Sequence, residues 1–121
     1  MGVPLKKDFP RTFEELLPTL RSSQGITPEV ERRVAELYGN RGRRALEAVM
    51  AGSVIRRGKR WFVRGKEDEY EVVRGFCSCR DYVLNVATGK AGVDMCYHAL
   101  AKRICEEIGS GYREEPESGG G

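Results

Sequence analysis

The sequence predicts an α+β domain: a helical N-terminal part, then a small antiparallel β-meander and a C-terminal helix closing around a candidate metal site. Three observations carry this expectation. Apolar residues recur at helical spacing twice, at Val30, Val34, Leu37 and Tyr38 and again at Tyr97, Ala101, Ile104 and Ile108. Between these stretches the pattern changes to short runs rich in β-branched and aromatic residues. Cysteine and histidine then appear as two close pairs, Cys77-Ser-Cys79 and Cys96-Tyr-His98.

Taken in order, residues 1–26 read as a leader with one short helix. Thr12-x-x-Glu15 fits a capping box opening that helix through Phe13, Leu16 and Leu17, and Pro18 is expected to end or kink it. Residues 27–52 read as a helical hairpin. Thr27 is a good N-cap with Pro28 at the first helical position, and Gly39 marks the stop. A second helix runs from about Arg41 to Ala51, burying Ala45, Leu46, Val49 and Met50, and Gly52 ends it. Val54-Ile55 and Trp61-Phe62-Val63 flank the turn Arg57-Gly58-Lys59. After a polar turn over Gly65 to Glu69, Tyr70 to Cys77 forms a third strand-like run. Arg80 to Asp94 is a long connection with a helical turn near Tyr82 to Val86. The last helix covers about Cys96 to Ile108, stopped by Gly109. Residues 109–121, mostly Gly, Ser and Glu, are expected to be disordered.

The chain of 121 residues is one domain's worth. No run approaches the ~20 apolar residues of a membrane span, and Met1 to Pro10 has no apolar signal core. The expectation is a cytoplasmic protein with reduced thiols, in which metal binding is a better reading of the four cysteines than a disulfide framework. The net charge of +3 hides an asymmetry: residues 1–66 hold 15 basic and 7 acidic residues, and residues 67–121 hold 6 and 11. The extreme is 41–66, where Arg41, Arg43, Arg44, Arg56, Arg57, Lys59, Arg60, Arg64 and Lys66 face Glu47 alone. These cations, Lys66 at the margin, form a candidate face for nucleic-acid phosphates or an acidic protein partner.

Three thiols and the chain's single histidine make a Cys₃His set, a common tetrahedral zinc set. On a strand, i and i+2 point to one side, so Cys77 and Cys79 present two sulfurs together. On a regular helix, i and i+2 diverge, so Cys96 belongs at or before the helix start and His98 inside its first turn. A filled four-ligand site leaves no position for substrate, which argues against an enzyme and against a small-molecule substrate. Cys105 reads as a small core residue beside the site; its replacing one ligand is the alternative. Asp81 has two readings, a hydrogen bond to the free ring nitrogen of His98 or a cap on the next turn. Gly39-Asn-Arg-Gly42 reads as a helix–helix turn, with a phosphate cradle as the alternative. Trp61 and Tyr70 read as core rather than as base-stacking platforms.

The pattern Cys-x-Cys…Cys-x-His, with Tyr70-Glu-Val-Val, Phe76-Cys-Ser-Cys-Arg-Asp-Tyr and Cys96-Tyr-His-Ala-Leu-Ala, resembles the SWIM zinc finger over residues 53–108. Arg80 departs from the proline or small residue often found there. The resemblance is closest to the small standalone SWIM proteins, found in archaea and in the eukaryotic Shu complex. The helix containing Arg43-Arg44-Ala-Leu-Glu-Ala-Val is also similar to the one leading into the finger in that group. This resemblance implies a zinc-stabilised ββα module that binds DNA or proteins. For the standalone group it implies an adaptor partnered with a RecA-family recombinase paralogue in homologous recombination and DNA repair. A zinc-stabilised protein-interaction module with no nucleic-acid role is the second expectation.

Overall fold

The computed structural model describes residues 11–116; the leader before Arg11 and the end of the tail, 117–121, lie outside the described residues. Three helices, α1 (Thr12–Arg21), α2 (Pro28–Tyr38) and α3 (Asn40–Met50), precede strands β1 (Val54–Arg57), β2 (Arg60–Arg64), β3 (Glu69–Val73) and β4 (Phe76–Cys77). A π-helical turn (Tyr82–Val86), helix α4 (Tyr97–Ile108) and a short strand β5 (Arg113–Glu115) complete the chain. The fold class is α+β. No described helix is long and apolar enough to cross a membrane.

The helical hairpin forms as its caps dictate. The Thr27 side chain accepts from the Val30 N–H at 3.2 Å, and Pro28 occupies the first turn, where its missing N–H costs nothing. Gly39 separates α2 from α3 with φ 61°, a value that favours glycine. The helix–helix turn is Gly39 alone, and Asn40, Arg41 and Gly42, expected to share it, already belong to α3. Gly42 lets the helices approach, since a Cβ there would fall 2.7 Å from both Cγ1 and the carbonyl oxygen of Val34.

Three expectations fail in the helices. Thr12 is the first helical residue, not the cap, and the cap position at Arg11 makes no side-chain bond. The α1 N-terminus is capped from a distance instead: the Phe13 N–H donates to Asp94 Oδ2 at 2.9 Å. Pro18 lies inside α1, which continues to Arg21. Buried Leu16 and Leu20 hold the helix on either side of it, and the carbonyl that loses its donor belongs to solvent-exposed Glu14. Met50 is also not core, being 71% exposed where α3 ends, while Val49 is buried.

The sheet has order β4-β3-β2-β1-β5, antiparallel except for the parallel β1–β5 pair. The run 70–77 is two strands, folded back at Arg74-Gly75 with Arg74 at φ 59°. The expected meander forms with four strands, β1–β4, rather than three, and Arg56, Trp61, Val72 and Cys77 form one row across it. One face of the sheet packs on α4, burying Val54, Val63 and Val72 against Leu100, Ala101 and Ile104. Trp61 and Tyr70 are half-buried and pack on this core. The tail departs from the expectation of disorder: residues 113–115 pair with β1 as β5. Register and ion pairs reached across the fold hold this charged segment, and no local propensity signals them.

Candidate metal centre

Three elements deliver the four candidate ligands. Cys77 ends β4, and Cys79 follows it at the entry to the π-helical turn. Cys96 is the N-cap of α4, and His98 lies in its first turn. The sulfurs double as caps: Cys79 Sγ accepts from the Tyr82 N–H at 3.3 Å and Cys96 Sγ from the Ala99 N–H at 3.5 Å. Helix-start N–H groups favour negative charge, so both positions suit a thiolate.

The four ligand atoms lie within 4.8 Å of one another, and all four residues are buried. The Nδ1 of His98 faces the sulfurs, 3.9 Å from Cys77 Sγ and 4.0 Å from Cys96 Sγ. A tetrahedral zinc with bonds of ~2.3 Å to sulfur and ~2.0 Å to nitrogen needs sulfur–nitrogen separations of about 3.6 Å. The sulfur–nitrogen pairs lie within about 0.5 Å of this, and spacings of up to 4.8 Å elsewhere in the set would close by about 1 Å around a metal ion. Thiolates with imidazole and no carboxylate suit zinc rather than calcium or magnesium. Among the thiols, hydrogen bonds from Cys77 and Cys96 hold Cys79 well below the usual range. The same sharing pushes Cys96 up, and Cys77 up to about 11. A central cation would reverse both upward shifts by attracting three thiolates.

Two tyrosine rings pack against the histidine ring. Tyr97 lies 4.0 Å from it and Tyr70 4.8 Å, centroid to centroid. Arg44 in turn stacks on Tyr97 at 4.4 Å. Asp81 takes neither expected role. It binds Arg41 through two bonds of 2.8 Å and accepts from Asn85, tying α3 to the π-helical turn after Cys79. The Arg41 bonds hold the Asp81 carboxyl below the ordinary carboxylate range. Cys105 is buried but outside the four-residue cluster, and burial pushes its thiol up to about 12.

An uncharacterized protein from Archaeoglobus fulgidus is 33% identical to this chain over 85 residues, covering 70% of this chain and 71% of that one. The chain belongs to that protein's family. No protein-family model and no solved structure matches the chain.

The structure divides the basic stretch 41–66. Arg57 pairs with Glu69 and Glu115, Arg60 with Glu71, Arg64 with Glu69, Arg41 with Asp81, and Arg56 with Glu114 at 3.9 Å. Much of the positive charge is thus matched by carboxylates from the second half of the chain. Arg43 hydrogen-bonds Asn40. Arg44, Lys66 and Arg80 instead line a groove of about 320 Å³ together with Glu67, Asp68 and Asp81, and Cys79, Tyr97 and His98 also line it. Sequence reasoning missed Tyr70 and Tyr97 as the clamp on His98, although Tyr97 stands between two ligands. It also missed Asp94, which accepts from the Phe13 N–H and, at 2.6 Å, from the Tyr38 hydroxyl. Asp94 thereby ties α1 and α2 to the loop two residues ahead of Cys96.

Proposed function

We propose that Cys77, Cys79, Cys96 and His98 hold a structural Zn²⁺ and that the chain is a SWIM-type, non-enzymatic adaptor. In this reading it binds DNA, a RecA-family recombinase paralogue, or both, in homologous recombination and DNA repair. The observation that carries the reading is the closed set itself: three thiols and an imidazole, all buried, converge from β4, the π-helical turn and the start of α4. When bound, the metal supplies a cross-link between the sheet and the helix. The chain's own residues do the rest. Tyr70 and Tyr97 fix the ring of His98, and Arg41 with Asp81 fixes the turn after Cys79.

The contact surface to test for phosphates or acidic side chains is the groove of Arg44, Lys66 and Arg80 over the metal centre, a surface of mixed charge because Glu67, Asp68 and the Arg41-bound Asp81 line it too. The ion pairs of Arg41, Arg57, Arg60 and Arg64 favour the second reading, a protein-interaction module without a nucleic-acid role. The test is DNA binding by fluorescence anisotropy across a salt series, with Arg44→Glu/Lys66→Glu as the variant. Direct phosphate contact predicts affinity that falls steeply with salt and is lost in the variant. No binding at low salt assigns the surface to protein. Recovery of a RecA-family ATPase from nuclease-treated native lysate supports the adaptor, and recovery of an unrelated stable partner moves the function to that partner's pathway.

A further inference from the structure

The strand β5 is an unusual ending for this sheet. It is three residues long, lies parallel to β1, and has two exposed side chains and one, Glu115, half-buried. Its attachments are those by which proteins bind extended peptides. The backbone pairs Ile55 with Arg113, Arg56 with Glu114 and Arg57 with Glu115. Glu115 reaches Arg57 at 3.1 Å, and Glu114 reaches Arg56 at 3.9 Å. Just ahead of the strand, Tyr112 packs edge-on against Trp61 with ring centroids 4.8 Å apart. Main-chain pairing for affinity and side-chain pockets for specificity is the logic of strand addition to a sheet edge.

The receiving surface extends beyond the segment it holds. Arg56, Lys59, Trp61, Glu106 and Tyr112 line a groove of about 320 Å³. Its acid, Glu106, is bonded to Lys102 at 2.9 Å and Arg103 at 2.7 Å, so the groove presents net positive charge. A glycine turn leads into the segment: Gly109 and Gly111 adopt φ 72° and 89°, values that favour glycine, and Ser110 lies between them.

We propose that the edge of β1 beside Trp61 is a peptide-binding site for an extended acidic segment of a partner protein, and that residues 112–115 occupy it in cis. The cis occupant reads out the ligand: an aromatic residue, one spacer and two acidic residues, running parallel to β1. Because the tail is tethered, it competes at an effective concentration in the millimolar range. A partner segment therefore displaces it only by binding more tightly or by being brought close through another contact. The site is separate from the metal centre and its groove, so it stands whether or not those bind DNA.

The chain's single tryptophan, Trp61, lies in the site and reports on it. A fluorescein-labelled peptide spanning residues 109–116 is titrated into the full zinc-loaded chain and into two full-length variants, Tyr112→Ala/Glu115→Lys and the milder Glu115→Ala. Both variants weaken the tail and leave Arg56, Arg57 and Trp61 intact. The expected result is at least tenfold tighter binding to the double variant than to the wild type, with Glu115→Ala between them. Trp61 emission should shift when the tail is released and return when peptide binds. A peptide with both glutamates replaced by lysine should bind none of the proteins. Equal affinity for all three proteins, or no binding to any at millimolar peptide, overturns the proposal. A wild type that is dimeric by light scattering, with a monomeric double variant, also overturns it, because the occupant would then be the tail of a second copy.

Discussion

Replacing Asp94 by alanine removes one carboxylate with two jobs. It accepts from the Phe13 N–H at 2.9 Å, capping the start of α1, and from the Tyr38 hydroxyl at 2.6 Å, at the end of α2. Hydrogen bonds to a charged partner contribute about 1.5–3 kcal/mol each. Asp94 is only half-buried, so water can replace part of what is lost. The low end for both bonds gives about 3 kcal/mol. Tyr38→Phe removes one bond and should cost about 1.5 kcal/mol. The double variant should cost no more than Asp94→Ala alone, because the hydroxyl has no further partner to lose. The assay is urea unfolding of the zinc-loaded protein, followed by far-ultraviolet circular dichroism. At a slope near 1.5 kcal/mol per molar, Asp94→Ala lowers the midpoint by about 2 M. A shift under about 0.5 M, or equal shifts for Asp94→Ala and Tyr38→Phe, would refute the claim that this carboxylate joins the helices to the metal loop.

Gly42→Ala gains about 1 kcal/mol of helix propensity but places a Cβ 2.7 Å from the Val34 carbonyl oxygen. Backbone cannot yield as a side chain does, so a net loss of about 1–2 kcal/mol is expected, and a raised melting temperature would count against that packing. Cys105, with its thiol pushed up to about 12 by burial, should alkylate at pH 8 roughly a thousandfold more slowly than an ordinary thiol of pKa ~8.5. Its rate should rise about tenfold per pH unit from 8 to 10; modification at an ordinary rate in the folded protein would show that Cys105 is open. Binding free energy at such sites, ~10–16 kcal/mol in zinc-finger peptides, is also folding free energy. A strong chelator should therefore unfold residues 70–108 cooperatively, and an unchanged circular dichroism spectrum after complete zinc removal would contradict that.

The features legible in the sequence are those that one segment encodes by itself. Thr27-Pro28, Gly39 and Gly109 mark helix ends through local backbone chemistry, and the structure places ends at all three. The two ligand pairs are equally local. Each sulfur or nitrogen is positioned by its own turn, and only the 16-residue connection between the pairs had to bring them together. What escaped is what depends on register or distance in sequence. Arg57 looked like free charge because Glu69 and Glu115 reach it only once β2, β3 and β5 are aligned. Asp94 looked like loop because its partners lie 81 and 56 residues away. Residues 113–115 looked disordered because a charged, glycine-flanked segment has no core former, and its strand exists only against the edge of β1. Pro18 reads as a helix end or kink because the rule concerns the lost hydrogen bond; the helix does not end there, since burial of Leu16 and Leu20 holds it on to Arg21.

The central claim is that Cys77, Cys79, Cys96 and His98, and not Cys105, hold one structural zinc. Native mass spectrometry of the chain expressed with zinc tests it most directly, alongside Cys79→Ser, His98→Ala and Cys105→Ser. The account predicts one zinc per chain in the wild type and in Cys105→Ser, with the ion lost or greatly weakened in the other two. Zinc retained at full occupancy by His98→Ala, or lost from a folded Cys105→Ser, would contradict it.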